Sequence, residues 1–266
     1  MSTGSAHSQG LVTTKSIVVS SLKYSEADLI VKCFTESHGL KSYLLRNILK
    51  SKKARPARIA SSQKESSGRS GGGKLRASMF QALTQLEIVA SHREKKNLHH
   101  IREAKIVYPY QNLHTDFHKT SIVFFLSEIL RNSIQEEETD KALFHFLERS
   151  FIWLDEAENS SNFPILFLLK LTKYLGFYPD NSHSDMDYFN LLEGIFQDET
   201  EKYCLGKEDS LLLKSLLKMD YNAASTLKLN RKQRTHFLEV WLLYYELHLS
   251  GFRKPKSLEV LRQLFD

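Results

Sequence analysis

The spacing of apolar residues changes once along this 266-residue chain, close to Tyr108-Pro109-Tyr110. Before this point the apolar residues form short runs rich in β-branched and aromatic side chains, a pattern typical of strands. After it they recur every three or four residues, as on one face of a helix. The sequence therefore predicts an α+β protein in which a β domain precedes an all-helical domain.

Five runs in the first part predict strands, and Ser37-His38-Gly39 predicts a turn in which glycine adopts a positive φ at little cost. Five short strands within about 95 residues fit a small closed barrel better than a sandwich. The predicted strands are residues 16–20, 28–35, 40–46, 80–92 and 98–107.

In the second part, apolar residues at helical spacing predict helices around 122–130, 143–154, 237–245 and 257–264. Pro164 is expected to open a further helix and Gly176 to end it, because proline suits the first helical turn and glycine the residue after the last. Apolar residues lie on every side of that helix, so we expect it to be central in its domain.

These patterns divide the chain into a disordered leader (1–12), a barrel domain (13–108) with a flexible basic loop (47–75), and a helical domain (109–266). Residues 61–73 consist almost entirely of Ser, Gly and charged residues, which is typical of a flexible loop.

Several protein classes are excluded by composition. The longest apolar runs are far shorter than the roughly 18 residues that a membrane span needs, and the first ten residues contain no apolar core of a secretory signal. With Cys33 and Cys204 as the only cysteines, neither a disulfide framework nor a cysteine-based zinc site is expected. We therefore expect a cytoplasmic protein.

The segment 41–76 holds eleven basic residues and one acid, a net charge of +10, whereas the whole chain carries +6 and the remainder therefore −4. A solvated face that only aids solubility would carry both positive and negative side chains. This basic block therefore indicates a polyanionic ligand, and nucleic acid is the first candidate. Tyr43, Phe80 and, more weakly, Tyr24 are candidates for stacking on bases, and Tyr43 and Phe80 could equally belong to the core. The residues expected to neutralise phosphates are Lys41, Arg46, Lys50, Lys52, Lys53, Arg55, Arg58, Lys74 and Arg76.

Other motifs have plainer interpretations. Residues 68–74 match the spacing of a phosphate-binding loop, but Leu75 stands where the Mg²⁺-binding Ser or Thr should be, and a strand rather than a helix follows. His114 and His118 share a helical spacing without a third ligand, and the adjacent His99 and His100 are expected on opposite faces of a strand. No nucleophile motif stands out in the sequence.

A second basic cluster, Lys228, Arg231, Lys232 and Arg234, precedes the helix that contains Trp241. It is either an ordinary polar helix start or a basic rim that binds an acidic partner peptide. Trp241 would then border a groove or, more simply, lie in the core.

Four stretches resemble the RecO family of bacterial recombination mediators: residues 14–19, 24–35 with Gly39, 75–87, and 252–261. Their order and spacing together cover nearly the whole chain after the leader. The resemblance implies an N-terminal OB-fold, a C-terminal helical domain and a nucleoid-associated, non-enzymatic protein of DNA repair. It further implies binding and annealing of single- and double-stranded DNA, contact with the acidic C-terminal tail of single-stranded DNA-binding protein (SSB), and loading of the recombinase RecA together with RecR.

The chain departs from that family pattern in two places. Many relatives carry a four-cysteine zinc motif after the equivalent of Leu175-Gly176-Phe177, where this chain has residues 180–185 without cysteine and only Cys204 nearby. We therefore predict neither a metal nor another cofactor. Residues 61–73 also lengthen the connection between the third and fourth strands. A different hypothesis remains, in which the helical domain is a scaffold for an acidic peptide and the basic loop only steers encounter.

Overall fold

A computed structural model describes residues 10–50, 75–92, 96–134 and 138–263. The chain divides into two compact units: of the described residues, the first contains those up to Pro109 together with 138–139, and the second contains the others. A closed barrel in the first unit and helices in the second confirm the predicted fold class. Residues 1–9 of the predicted leader and 51–74 of the predicted basic loop lie outside the described ranges.

The barrel is formed by β1 (Leu11–Lys23), β2 (Leu29–Thr35), β3 (Gly39–Leu45), β4 (Gln85–Ser91) and β5 (Leu98–Ile106). Its strand order is β1-β2-β3-β5-β4, with β4 closing on β1, and every pair is antiparallel except β3 and β5. All five predicted strands are confirmed. The boundaries differ by more than one residue at two of them, because β1 already begins within the predicted leader and a short 3₁₀ helix, Ala77–Phe80, precedes β4.

The barrel core follows from side-chain alternation along the strands. Val31 and Cys33 of β2 and Tyr43 of β3 are fully buried and belong to one cluster with Leu86 and Ile88 of β4. Burial raises the pKa of the Cys33 thiol to about 12, so it remains a protonated core side chain.

The second unit contains seven helices among its described residues, and the two longest are α1 and α6. The helices are α1 (Phe117–Ser133), α2 (Lys141–Glu156), α3 (Phe163–Leu175), α4 (Lys207–Leu217), α5 (Tyr221–Thr226), α6 (Arg231–His248) and α7 (Leu258–Gln263). As predicted, α3 is central: its residues 163–169, 171 and 172 are buried, and it packs against α1, α2, α5 and α6. Gly176 ends it with a φ of 87°.

A hairpin of two three-residue strands, β6 (Tyr188–Asn190) and β7 (Ile195–Gln197), was missed in the sequence, as were α4 and the short α5. Elements of three to six residues are too short to show a period. No helix of the described residues is long and apolar enough to cross a membrane.

The β6–β7 hairpin occupies the region in which the RecO resemblance implies zinc, and its centre is Asn190. The Asn190 side chain donates to Gln197 Oε1 and Glu201 Oε2, both at 3.1 Å, and accepts from the amides of Leu192 and Glu193 at 2.9 and 3.2 Å. Within the described residues, no three His, Cys, Asp or Glu side chains converge on a metal position. An amide-centred network with one nearby thiol does not fit a four-cysteine zinc site.

Candidate nucleic-acid interface

The first unit contains a groove at the place where two barrel strands part. Strands β3 and β5 pair only through Ser42 with Leu98 and Tyr43 with His99. Beyond these pairs, a cavity of about 880 Å³ opens between the end of β3 and β5. Its lining also includes the residues that follow β3 and those that lead into the 3₁₀ helix.

The turn after β3 is held by backbone hydrogen bonds to the β1–β2 loop. Asn47 has a φ of 57°, a left-handed conformation that asparagine tolerates better than most residues. Its amide donates to Asp28 Oδ1 at 2.7 Å, and the Leu49 amide donates to the Ala27 carbonyl oxygen at 3.0 Å. These contacts place Arg46 and Lys50 on the rim of the groove, and both are exposed.

A second wall comes from the approach to the 3₁₀ helix. The Arg76 carbonyl oxygen accepts from the Met79 amide at 3.1 Å and so starts the helical turn. Leu75 and Ala77, on either side of Arg76, are partly buried and pack against the barrel core. Arg76 itself is exposed and lines the groove.

The third wall is β5, which His100 connects to β3. The Leu44 carbonyl oxygen accepts a hydrogen bond from Nδ1 of His100 at 3.3 Å. His99 faces the barrel interior and is buried, whereas His100 is half-buried and lines the groove. The prediction that these two histidines lie on opposite faces of a strand is confirmed.

The charged side chains that the structure describes in the groove have one sign. Three cations, Arg46, Lys50 and Arg76, line it together with aliphatic side chains, and no Asp or Glu is among its described lining residues. A low-dielectric concave wall strengthens the field of such cations. The groove is therefore suited to an anionic ligand that also has an apolar part.

Of the residues predicted to neutralise phosphates, the structure brings Arg46, Lys50 and Arg76 together. Lys41 lies at the other end of β3, about 17 Å from Arg46 at the usual rise of a strand. The remaining predicted residues are outside the described ranges: Lys52, Lys53, Arg55, Arg58 and Lys74.

The expectation that Tyr43 stacks on a base does not agree with its position. Tyr43 is fully buried inside the barrel, and its hydroxyl is hydrogen-bonded to Nε2 of His92 at 2.9 Å. Phe80 is also in the core. Both residues therefore follow the alternative left open by the sequence. Tyr24, the weakest of the three candidates, is 63% exposed in the β1–β2 loop.

Tyr43 and Lys41 lie beside a cluster of histidines. The ring centroids of His38 and His92 are 4.6 Å apart, and those of His92 and His99 are 4.8 Å apart. Burial, followed by the nearby His38, His99 and Lys41, lowers the pKa of His92 to about 4. The His92 imidazole is therefore neutral at physiological pH.

The sequence did not identify the apolar half of the groove. Leu44, Ile48 and Leu75 have no distinctive spacing, and His100 was predicted only to lie on the face of a strand opposite His99. Strand alternation contained a partial signal, because Leu44 lies one residue from the inward-facing Tyr43 and so must face outward. Leu44 and Ile48 lie near Arg76 only because the chain comes back to the barrel at residue 75. No local sequence pattern encodes that approach.

In the second unit, three of the four residues of the predicted basic rim, Lys228, Arg231 and Lys232, are exposed. Arg234 is half-buried, donates to the Leu229 carbonyl oxygen, and has its pKa lowered by burial. Trp241 is buried on α6, which supports its interpretation as a core residue.

Two further motifs gain no support as sites. Residues 68–74, which match the spacing of a phosphate-binding loop, lie outside the described ranges. His114 packs edge-on against Tyr110 and His118 against Phe117, with centroid distances of 5.6 and 6.2 Å.

Comparison with known proteins agrees with this architecture. A family model described as "Recombination protein O N terminal" matches residues 9–61, and one described as "Recombination protein O C terminal" matches residues 114–259. The two matches fall on the barrel unit and the helical unit respectively.

Curated relatives match along almost their whole length. A protein of Christiangramia forsetii named DNA repair protein RecO is 49% identical over 256 residues, covering 96% of this chain and 99% of the relative. Proteins of the same name from Flavobacterium johnsoniae and Bacteroides fragilis are 44% and 33% identical, again over 96% of this chain. With both of its units matched in order, the chain belongs to the recombination protein O (RecO) family.

Proposed function

We propose that this protein is a non-enzymatic, DNA-binding mediator of recombination in DNA repair. It binds single- and double-stranded DNA, anneals complementary strands and, together with RecR, helps to load a recombinase onto SSB-coated DNA. The observation that carries the DNA-binding part is the groove of the barrel unit, whose rim holds Arg46, Lys50 and Arg76 and whose lining, as far as the described ranges reach, has no acidic residue.

The physical basis is electrostatic. Each cation placed on a phosphate releases condensed counterions, which gives affinity for any sequence. Two single strands repel each other through their phosphates, so a protein that neutralises them lowers the barrier to annealing. Such a process needs no nucleotide or metal.

The partner proteins are proposed from the family. Curated relatives are named DNA repair proteins, and the exposed Lys228, Arg231 and Lys232 provide positive charge at the start of α6 for an acidic tail such as that of SSB. RecR is proposed as a partner without an assignment of residues.

Annealing of two complementary labelled oligonucleotides, without nucleotide or metal, tests the proposal. The triple variant Arg46→Ala, Lys50→Ala, Arg76→Ala should anneal at least about tenfold more slowly, since several phosphate contacts are lost. The matched control is Lys105→Ala on β5, an exposed lysine opposite Glu87 and outside the groove, which should anneal at the wild-type rate. If the wild-type protein fails to anneal, or if the triple variant anneals as fast as the control, the proposal is wrong.

A scaffold that binds an acidic peptide remains the second candidate function, because Lys228, Arg231 and Lys232 are exposed. A fluorescent acidic peptide with aromatic residues should lose affinity for a Lys228→Ala, Arg231→Ala, Lys232→Ala variant. If the protein is a scaffold, the Arg46→Ala, Lys50→Ala, Arg76→Ala variant should bind this peptide as tightly as the wild type does. The wild-type protein should then show no annealing. A mediator would show both activities, each lost in a different variant.

A further inference from the structure

We propose that a cavity in the second unit binds a guanidinium group, supplied by an arginine side chain of a partner protein or by a small guanidinium compound. The cavity is lined by residues from two stretches, 153–159 at the end of α2 and 222–226 in α5. Its volume of about 600 Å³ lies within the roughly 300–1,000 Å³ usual for small-ligand sites. This site is independent of the proposed DNA binding, because its described lining residues all belong to the helical unit and its charge has the opposite sign.

The charge of this cavity comes from two carboxylates, Glu156 and Glu158, and no Lys, Arg or His is among its described lining residues. Glu156 is the last residue of α2, where the helix dipole already places partial negative charge, and the last turn of α2 has no basic residue to offset it. Lys119 lines a smaller neighbouring cavity, but its Nζ donates to the Asp155 carbonyl oxygen at 2.7 Å. The larger cavity therefore repels phosphates and acidic peptides and attracts cations.

Trp153 provides an aromatic wall whose position is fixed from one side. Its Nε1 donates to Asn222 Oδ1 at 2.7 Å, and its ring stacks on Phe163 with centroids 5.5 Å apart and planes 9° apart. Tyr221 lies on the same side of the indole as Phe163, since the centroids of those two rings are only 4.8 Å apart. A ligand in the cavity therefore meets the opposite face or the edge of Trp153. A planar guanidinium is the cation that stacks best on such a ring.

The acceptors around Trp153 are held in place by contacts between the two stretches. Asn159 Nδ2 donates to the Ser225 carbonyl oxygen at 2.8 Å and so connects the loop after α2 to α5. Asn159 Oδ1 accepts from the Ser161 amide at 3.1 Å and keeps a second lone pair for a ligand. Two N–H groups of a guanidinium bind one carboxylate side by side, whereas a lysine ammonium is a compact point charge. The combination of carboxylates, an amide acceptor and an indole therefore selects arginine over lysine.

Acrylamide quenching of tryptophan fluorescence tests this site on the full chain. Of the two tryptophans, Trp241 is only 1% exposed, so quenching reports on Trp153. At constant ionic strength, an acetylated and amidated Gly-Arg-Gly peptide should protect Trp153 from acrylamide in a saturable manner. It should bind at least about tenfold more tightly than the citrulline peptide, which has the same shape without the charge. It should bind at least about threefold more tightly than the lysine peptide, which cannot stack as a plane.

A double variant locates the binding. Glu156→Gln with Glu158→Gln removes both charges and keeps Trp153 as the reporter, and it should bind the arginine peptide at least about tenfold more weakly. The matched control is Glu193→Gln with Glu199→Gln, which neutralises two exposed carboxylates at the β6–β7 hairpin, outside the cavity, and should bind as the wild type does. Circular dichroism checks that both variants are folded.

Agmatine, a small guanidinium compound, distinguishes the two sources of the ligand. Tighter binding of the arginine peptide assigns the cavity to a partner protein, and tighter binding of agmatine assigns it to a small molecule; both results support a guanidinium site. Lack of protection by either compound overturns the proposal. Equal binding of the arginine and lysine peptides, or equal affinities in the two double variants, overturns it as well, because an acidic surface without a built site would give those results.

Discussion

Lys119 donates a hydrogen bond from Nζ to the main-chain carbonyl oxygen of Asp155 at 2.7 Å, although this lysine is only 7% exposed. The carboxylate of Asp155 accepts the backbone amides of Gln111, Asn112 and Leu113 at 2.7 to 3.0 Å. Asp155, near the end of α2, therefore fixes both the loop that opens the second unit and the first turn of α1.

Replacement of Asp155 by asparagine should destabilise the second unit by about 2–3 kcal/mol. One carboxylate oxygen would become an amide nitrogen that faces a backbone N–H, and a buried donor would lose a charged acceptor. Urea unfolding followed by circular dichroism measures the free energy of unfolding. The control, Asp187→Asn, affects an exposed carboxylate paired with Lys207 and should change stability by less than about 1 kcal/mol. Equal effects of the two substitutions would contradict the assigned role of Asp155.

DNA binding should depend on salt in proportion to the phosphates that are neutralised. About five phosphate contacts on a single strand predict a slope of log affinity against log salt near −3.5. Arg46→Ala with Arg76→Ala should reduce the magnitude of this slope by about 1.4 and weaken binding to all sequences alike. Fluorescence anisotropy at several salt concentrations measures both quantities, with Lys105→Ala as control. A wild-type slope near zero is incompatible with the proposed interface.

The stability of the barrel unit should fall as the pH decreases from about 6.5 to about 4. The pKa of His92 is lowered from its ordinary 6.5 to about 4 by burial and by nearby His38, His99 and Lys41. Between these two values the unfolded chain binds the proton and the folded chain does not, so acid favours unfolding. Below about pH 4 this contribution should level off.

Chemical unfolding at pH 7 and at pH 4.5 tests this expectation on the wild-type protein and on His92→Gln. Glutamine keeps a polar partner for the Tyr43 hydroxyl but does not titrate, so the variant should lose less stability on acidification. His145→Gln, which alters an exposed histidine paired with Glu148 in the second unit, is the matched control. Parallel losses in wild type and His92→Gln would show that other groups govern the acid response.

Two glycines of the second unit provide a matched steric test. Gly176 and Gly194 both have positive φ, 87° and 71°. A Cβ at Gly194 would lie 2.9 Å from the Tyr244 hydroxyl oxygen, whereas one at Gly176 would meet nothing within 4 Å. The Tyr244 hydroxyl donates to the Phe177 carbonyl oxygen and is not free to move without losing that bond.

Gly176→Ala should therefore cost about 1 kcal/mol, from backbone strain alone. Gly194→Ala should cost about 1–2 kcal/mol more, because the clash displaces a hydrogen-bonded hydroxyl. Thermal and urea unfolding of the two variants measure the difference. If both substitutions are equally costly, the contact between Gly194 and Tyr244 does not constrain the fold.

Sequence periodicity alone determined most of the architecture. The five strands, the central α3 and the end of α3 at Gly176 follow from patterns that extend over several residues, in which local preference and burial agree. Strand boundaries were less certain, since Ala77–Phe80 is apolar enough to resemble a strand start but forms a 3₁₀ helix. The β6–β7 hairpin and α5 escaped notice because strands of three residues and a helix of six are too short for a repeated period to stand out.

The candidate interface was only half determined in this way. A charge block is visible in sequence because charges add along the chain, so Arg46, Lys50 and Arg76 could be proposed from the residues alone. Whether Tyr43 faces a base or the core depends on which side of β3 the barrel closes, and only the tertiary structure decided that it is buried. The same closure brings Leu44, Leu75 and His100 around one groove, because β3 and β5 are paired for two residues and then separate. Long-range pairing of this kind is set by the packing of the whole barrel, which no short stretch of sequence records.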